Sequence, residues 1–183
     1  MKLDETKMLL NCLDKGYIEL AKLYLKSNIE KKYINTAKKA YNEYIHNCND
    51  LVSGYLNNKY IFSNYSSIYI LNSDKILSDY VKKVNREYLF DDKEELINKL
   101  HDLNNCLINV ENHAIDVIDS FVINNDNVKL YSKQNVSIVD YNEYLYLNQI
   151  LDEDVKLYIT SANNYCYAKS SRGKALVLTK KEK

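Results

Sequence analysis

Apolar residues recur between Leu96 and Phe121 at alternating steps of four and three: Leu96, Leu100, Leu103, Leu107, Val110, Ala114, Val117 and Phe121. Alternation that strict is a heptad seam, and one long helix over 91–126 is its simplest carrier, because helical periodicity brings those positions to a single stripe. Once buried, each larger member contributes roughly 1.5–3 kcal/mol before the opposing entropy of ordering. The seam therefore demands something to pack on. Helices earlier in the same chain are the nearest supply; a homodimer or a partner helix is the alternative. Asn104, Asn105, Asn109 and Asn112 are weak helix formers, so any break in this helix belongs near its middle.

Two helical stripes precede it. Leu9, Leu13, Tyr17, Leu20 and Tyr24 step by three and four, with Gly16 inside the stripe as a point of bending. Ile34, Ala37, Tyr41, Tyr44 or Ile45, Cys48, Val52 and Tyr55 form the second, and Asn28 supplies an N-cap between them. Residues 1–57 thus read as a helical hairpin. The period then shortens. Lys59–Ser63 and Ser67–Leu71 are β-branched and aromatic around Asn64-Tyr65-Ser66, which predicts a β-hairpin, and Ser73 caps a short helix over 74–84. Residues 58–90 form a ββα unit on this reading.

From Asn127 the same pattern returns. Val128–Ser132 and Val136–Val139 flank Lys133-Gln134-Asn135, Asp140 caps a helix through Leu151, and the tetrapeptide Val-Lys-Leu-Tyr occurs at 128–131 and at 155–158. A weak ββα duplication and a coincidence in a Lys- and Tyr-rich chain both account for that. Segments 154–160, 165–170 and 174–179 read as a closing antiparallel three-stranded meander. The prediction is a single α+β domain over 1–183: helical hairpin, ββα unit, long helix, and a β-rich part over 127–183.

Net charge is zero, which conceals segregation along the chain. Residues 1–90 carry 14 basic against 10 acidic side chains, residues 91–154 carry 4 against 14, and residues 155–183 carry 7 against 1. Such asymmetry bears on partners, not on fold. The basic end offers Lys156, Lys169, Arg172, Lys174, Lys180 and Lys181 interleaved with Tyr158, Tyr165 and Tyr167. Lysines neutralise phosphates and tyrosine rings stack on bases, so this is the candidate face for nucleic acid or another partner; a solvated tail is the plainer reading. Asp91, Asp92, Glu94 and Glu95 suit a helix start. Asp116, Asp119, Asp126, Asp152, Glu153 and Asp154 lack that explanation and form a candidate acidic partner face, against the plainer reading of a solvated surface.

Familiar chemistry does not assemble in the sequence. Ser170-Ser171-Arg172-Gly173-Lys174 lacks the upstream glycine of a phosphate loop, and Gly16, Gly54 and Gly173 cannot build a dinucleotide fingerprint. His46, His101 and His113 show no metal-ligand spacing with each other or with Cys12, Cys48, Cys106 and Cys166, so no metal, cofactor or catalytic residue is expected. A histidine brought by the fold to Cys106 or Cys166 would instead point to an enzyme. The start MKLDETKMLL places Asp4 and Glu5 where a signal peptide would be apolar, and no apolar run reaches the roughly 18–20 residues of a membrane span, so cytoplasmic reduced thiols are expected.

The chain has no proline or tryptophan, two arginines and much Asn, Ile, Lys and Tyr, the bias of AT-rich coding DNA. In that light Ser67-Ile68-Tyr69-Ile70-Leu71-Asn72 and Ala168-Lys169-Ser170-Ser171-Arg172-Gly173-Lys174-Ala175-Leu176-Val177-Leu178 resemble small proteins carried by phages of low-GC Firmicutes. The overall type is similar to the anti-CRISPR inhibitors of type II nucleases: short, charge-polarised and without an evident active site. The resemblance lies in character spread over the chain, and it assigns no role to any residue. It implies a non-enzymatic protein that binds a nuclease–guide complex inside a bacterial host, with or without a DNA contact, and blocks target recognition or cleavage. A nucleic-acid-binding regulator using the basic C-terminal strands is the alternative.

Overall fold

The computed structural model describes residues 3–48, 50–72, 80, 93–124, 126–133, 135–151, 154–160 and 164–181. The chain divides into two compact units, Met1–Thr36 and Ala37–Lys183. The first holds helix α1 (Leu3–Asp14) and the opening turns of helix α2 (Ile18–His46). Gly16, at φ +72°, separates the two helices. Tyr17 N donates to Cys12 O at 2.8 Å and Gly16 N to Leu13 O at 3.0 Å, the paired bonds of a glycine-terminated Schellman cap. The break predicted at Asn28 does not occur: α2 runs straight through it. Asn28 costs a continuous helix only a few tenths of a kcal/mol, whereas Gly16 adopts the left-handed geometry that ends one.

In the second unit two antiparallel sheets share the strands, and the fold is α+β. The larger joins β1 (Val52–Leu56), β2 (Lys59–Ser63), β3 (Ser67–Leu71), β10 (Gly173–Leu178), β9 (Tyr165–Lys169), β8 (Lys156–Ile159) and β4 (Ile115–Asp116) in that order. The smaller runs β11 (Lys180–Lys181), β7 (Val136–Asp140), β6 (Asn127–Tyr131) and β5 (Asp119–Asn124). The expected meander is β8-β9-β10. The hairpin β2-β3 turns on Asn64, whose Oδ1 accepts from the backbone N–H of Ser66 and of Ser67, both at 2.8 Å. The hairpin β6-β7 closes with Ser132 N donating to Asn135 O at 2.9 Å. Asp140 caps helix α4 (Tyr141–Leu151), accepting from Asn142 N at 2.9 Å. The helix predicted over 74–84 falls almost entirely outside the described residues. The repeated Val-Lys-Leu-Tyr meets the smaller sheet at β6 and the larger one at β8.

Two helical expectations give way to strand. Val52 and Tyr55 belong to β1, because Asn57 (φ 50°) and Asn58 (φ 61°) make a two-residue turn that pairs Leu56 with Lys59. Both central residues at positive φ identify the tight hairpin turn that asparagine tolerates. The long helix over 91–126 is likewise shorter: α3 spans Lys93–Glu111, and the chain then enters β4 and β5. Asn109 and Asn112 weaken the helix there, and Ile115, Val117, Ile118, Val122 and Ile123 are β-branched residues facing strands with open edges. Val117 N donates to Leu157 O at 3.0 Å and Ile118 N to Tyr131 O at 2.7 Å, so the chain changes sheets between adjacent residues.

The seam does find its partner within the chain, but on a sheet and not on another helix. Leu100, Leu107 and Val110 of α3 are buried against Ile61, Ile70, Tyr167 and Leu176, with Leu96, Leu103 and Ala114 at the margin. On the opposite face of the same sheet, Tyr41 and Tyr44 of α2 meet Phe62 edge-on at 5.0 and 5.4 Å, Phe62 stacks on Tyr69 at 4.8 Å, and Tyr146 of α4 meets Tyr44 at 5.8 Å. Each such ring pair adds about 0.5–1.5 kcal/mol beyond its burial. Helix α4 packs on β6, β7 and β10, between the two sheets.

Candidate functional site

Antiparallel register assembles the basic residues. Lys156 stands opposite Lys169, and Lys169 opposite Lys174, a row across β8, β9 and β10 on the face that α3 covers further along. Like charges directly opposite repel. Glu111, the last residue of α3, answers them: its Oε1 lies 3.3 Å from Lys169 Nζ and its Oε2 2.6 Å from Lys174 Nζ. Burial pushes this carboxyl up, but the Lys174 ammonium, the nearby Tyr167 hydroxyl and the Lys169 ammonium outweigh it and bring it down to about 2.

The remaining basic candidates scatter. Tyr167 is 1% exposed beneath α3, so its ring is core and offers no stacking surface, contrary to the expectation for that position. Tyr165 is half-buried. Arg172 sits in the turn between β9 and β10, where its N–H donates to Ser170 Oγ at 3.0 Å. Lys180 is exposed on β11, in the other sheet, and Lys181 follows it.

The acidic candidates come to the basic strands instead of forming a face apart. Asp116 on β4 and Asp119 on β5 share an open cleft of about 710 Å³ with Lys156. Asp154 Oδ2 accepts from Ser171 N at 3.1 Å, inside the basic turn. Asp126 is exposed in the β5–β6 turn, and its carbonyl accepts from Tyr141 N at 2.9 Å. Asp152 and Glu153 lie outside the described residues. Charge blocks that are separate along the chain therefore meet in space at Glu111, Asp116 and Asp154.

An open cleft of about 910 Å³, lined by polar and apolar side chains alike, has no counterpart among the sequence expectations. Its wall includes Tyr44, Asn64, Ser66, Glu143, Tyr146 and Lys180. Glu143 stands three residues after the Asp140 cap, where a glutamate commonly reaches back to its own helix start. Here Ser66 Oγ donates to its Oε1 at 2.7 Å, across 77 residues of chain, and its Oε2 is buried with no partner among the described residues. Burial pushes the Glu143 carboxyl up, opposed by the Ser66 hydroxyl and by the nearby Ser67 and Asn64 side chains and reinforced by Asp140. Around it Tyr44 Oη and Ser67 Oγ lie 3.1 Å apart, and Asn64 Nδ2 donates to Cys48 Sγ at 3.3 Å. The Asp140-x-x-Glu143 spacing was visible in the sequence; the arrival of the Asn64–Ser67 turn was not.

Cys166 is fully buried and its thiol is pushed up to about 12 by that burial, the reverse of an activated nucleophile. Among the described residues no group of three or more His, Cys, Asp or Glu is placed to hold a metal ion, and no helix is long and apolar enough to cross a membrane.

In the first unit the helices carry a different feature. Met8, Leu10 and Leu13 of α1, Tyr17, and Ile18, Leu20, Leu23, Leu25 and Ile29 of α2 are each between 39% and 66% exposed. Lys22, Lys26, Lys31 and Lys32 are exposed among them. No protein-family model, curated protein or solved structure matches this chain.

Proposed function

We propose that this protein is a non-enzymatic inhibitor that docks on a larger macromolecular target, in the manner of an anti-CRISPR protein on a nuclease–guide complex. One observation carries the reading: the apolar side chains that α1 and the start of α2 leave in water. Exposed apolar side chains at this density, interspersed with exposed lysines, suit a docking surface better than an ordinary solvated helix. Ile18, Leu25 and Ile29 fall on one side of α2 and Leu20 and Leu23 on another, so a target can grip the helix from two directions.

The test is reconstitution with type II CRISPR nucleases from low-GC Firmicute hosts. We expect a complex by size-exclusion chromatography and slowed DNA cleavage. The double substitution Leu20→Glu, Leu23→Glu should weaken both at least about ten-fold, the loss of roughly 1.4 kcal/mol of binding, with the melting temperature unchanged. Absence of both a complex and slowed cleavage, with every nuclease of a matching host, refutes the proposal.

The in-register row Lys156, Lys169 and Lys174 favours a second reading, nucleic-acid binding by the larger sheet. Binding through phosphates must weaken with salt, with a slope near −0.9 for each phosphate neutralised on a duplex. Replacing the row by glutamine should flatten that slope. No affinity at low salt removes this reading.

A further inference from the structure

Among the described residues, each sheet edge but one is short or packed by a helix. In the larger sheet, β1 is packed by α3 and β4 is two residues long. In the smaller, β11 is two residues, both lysine. Short strands, covering helices and lysines are the usual means of keeping open edges from pairing. Strand β5 has none of these among the described residues. It is six residues long, pairs with β6 alone among the described strands, with a register shift between Val122 and Asn124, and reads Asp-Ser-Phe-Val-Ile-Asn. Its Phe121, Val122 and Ile123 are 55%, 58% and 48% exposed, and Ile118 just before it is 64% exposed.

The strand makes a side-chain contact on each of its faces. Ser120 Oγ lies 3.4 Å from Tyr144 Oη of α4, and the Phe121 ring meets Tyr131 edge-on at 5.7 Å. Consecutive residues of β5 project to opposite sheet faces, so exposure of both Phe121 and Val122 marks the open edge itself and not one uncovered face.

We propose that β5 is a self-association edge, on which the β5 of a second copy pairs antiparallel to extend the four-stranded sheet across a two-fold axis. Side chains of a continuous sheet must match faces, so the axis passes through Phe121 or Val122. With Phe121 on the axis, Ser120 faces Val122 of the other copy and Asp119 faces Ile123 of the other copy; no carboxylate opposes another within the strand. Complete covering of the exposed surface of Ile118, Phe121, Val122 and Ile123 together with the open backbone would remove at most about 500–600 Å² from each copy. About 1,000–1,200 Å² in all is the lower bound of a specific interface, so the dimer is weak and concentration-dependent. The two Asp119 carboxylates stand four residues apart along the seam, roughly 13 Å at about 3.4 Å per residue, beyond the screening length of about 8 Å at physiological salt, so added salt changes the pairing little. This inference does not rest on the target-docking reading, which uses the other unit.

Sedimentation velocity of the full chain from about 1 to about 200 µM tests it. We expect a micromolar dimer little affected by added salt, and at least a ten-fold rise in its dissociation constant for Phe121→Lys and for Val122→Lys. Leu23→Lys, in the first unit, should leave it unchanged. In the wild-type protein, amide exchange at 121–123 should slow as concentration rises while that at 52–56 does not, a readout that needs no variant to fold. A monomer throughout the range overturns the proposal, as does a dimer indifferent to both edge lysines or one abolished by Leu23→Lys.

Discussion

Two glycines in the same sheet invite the same substitution with opposite consequences. A Cβ built on Gly173 would collide with the carbonyl oxygen of Ile70 and stand 3.0 Å from Leu71 Cα and 3.2 Å from Ile70 C. All three are backbone atoms of β3, which pairs with β10 in the register Gly173 to Leu71 and Lys174 to Ile70. No rotamer change relieves the contact. Strands β3 and β10 must part locally, which adds about 1–3 kcal/mol of overpacking to one ladder hydrogen bond of about 1 kcal/mol net. Gly173→Ala should therefore destabilise by about 2–4 kcal/mol. A Cβ on Gly54 would meet only Leu100 Cδ1 closely, at 2.7 Å, with the next atoms at 3.7 Å. Leu100 can turn away for roughly 0.5–1.5 kcal/mol, and alanine recovers roughly 0.5–1 kcal/mol that glycine loses within a strand. Gly54→Ala should change stability by less than about 1 kcal/mol. Urea unfolding of the two variants against the parent, at matched m-values, reads both numbers, and a thermal scan should show Gly173→Ala lower by about 4–16 °C. Equal effects at the two sites, or a neutral Gly173→Ala, would refute the packing of β3 on β10 described above.

Titration of two glutamates should run in opposite directions. Glu111 is held down from its ordinary 4.5 to about 2, so its ion pairs stabilise fully above 4.5 and fade as pH falls toward 2. Glu111→Gln should cost about 1–2 kcal/mol at neutral pH, a figure discounted for the solvent at its half-exposed lysines, with the deficit vanishing near pH 2 in urea midpoints. Glu143 is raised from 4.5, so its proton favours the folded chain and stability drains as pH rises through the raised value. Glu143→Gln, which keeps an oxygen for Ser66 Oγ, should remove that slope and raise the melting temperature at pH 8; a variant that melts lower at pH 8 than at pH 5 by as much as the parent does would count against a buried carboxylate.

Legibility in the sequence followed the range of the interaction. The Asn64 turn, the Asp140 cap and the three strands after residue 154 were readable because each is written in a few neighbouring residues: a side chain that bonds the backbone two positions on, an aspartate ahead of an apolar run, alternation between turns. Asn57-Asn58 was equally local and equally readable, but the helical spacing of Val52 and Tyr55 hid it. The seam from Leu96 misled at its far end for a related reason. Period-seven spacing persists through Val117 and Phe121, yet it measures where apolar residues fall and not which backbone carries them.

What the amino-acid order determined by itself is the inventory: helical stripes at both ends of α2, hairpin turns, an α3 face that must be buried, and charge in blocks. The tertiary structure decided what those parts meet. It laid α3 on a sheet, divided Ile115–Asn124 between two sheets, set Glu111 among lysines about 60 residues away, and turned Glu143 toward a serine 77 residues back. Those choices rest on nonlocal hydrogen bonds and on which strand edges remain open when the chain collapses, and neither quantity exists until distant segments are side by side.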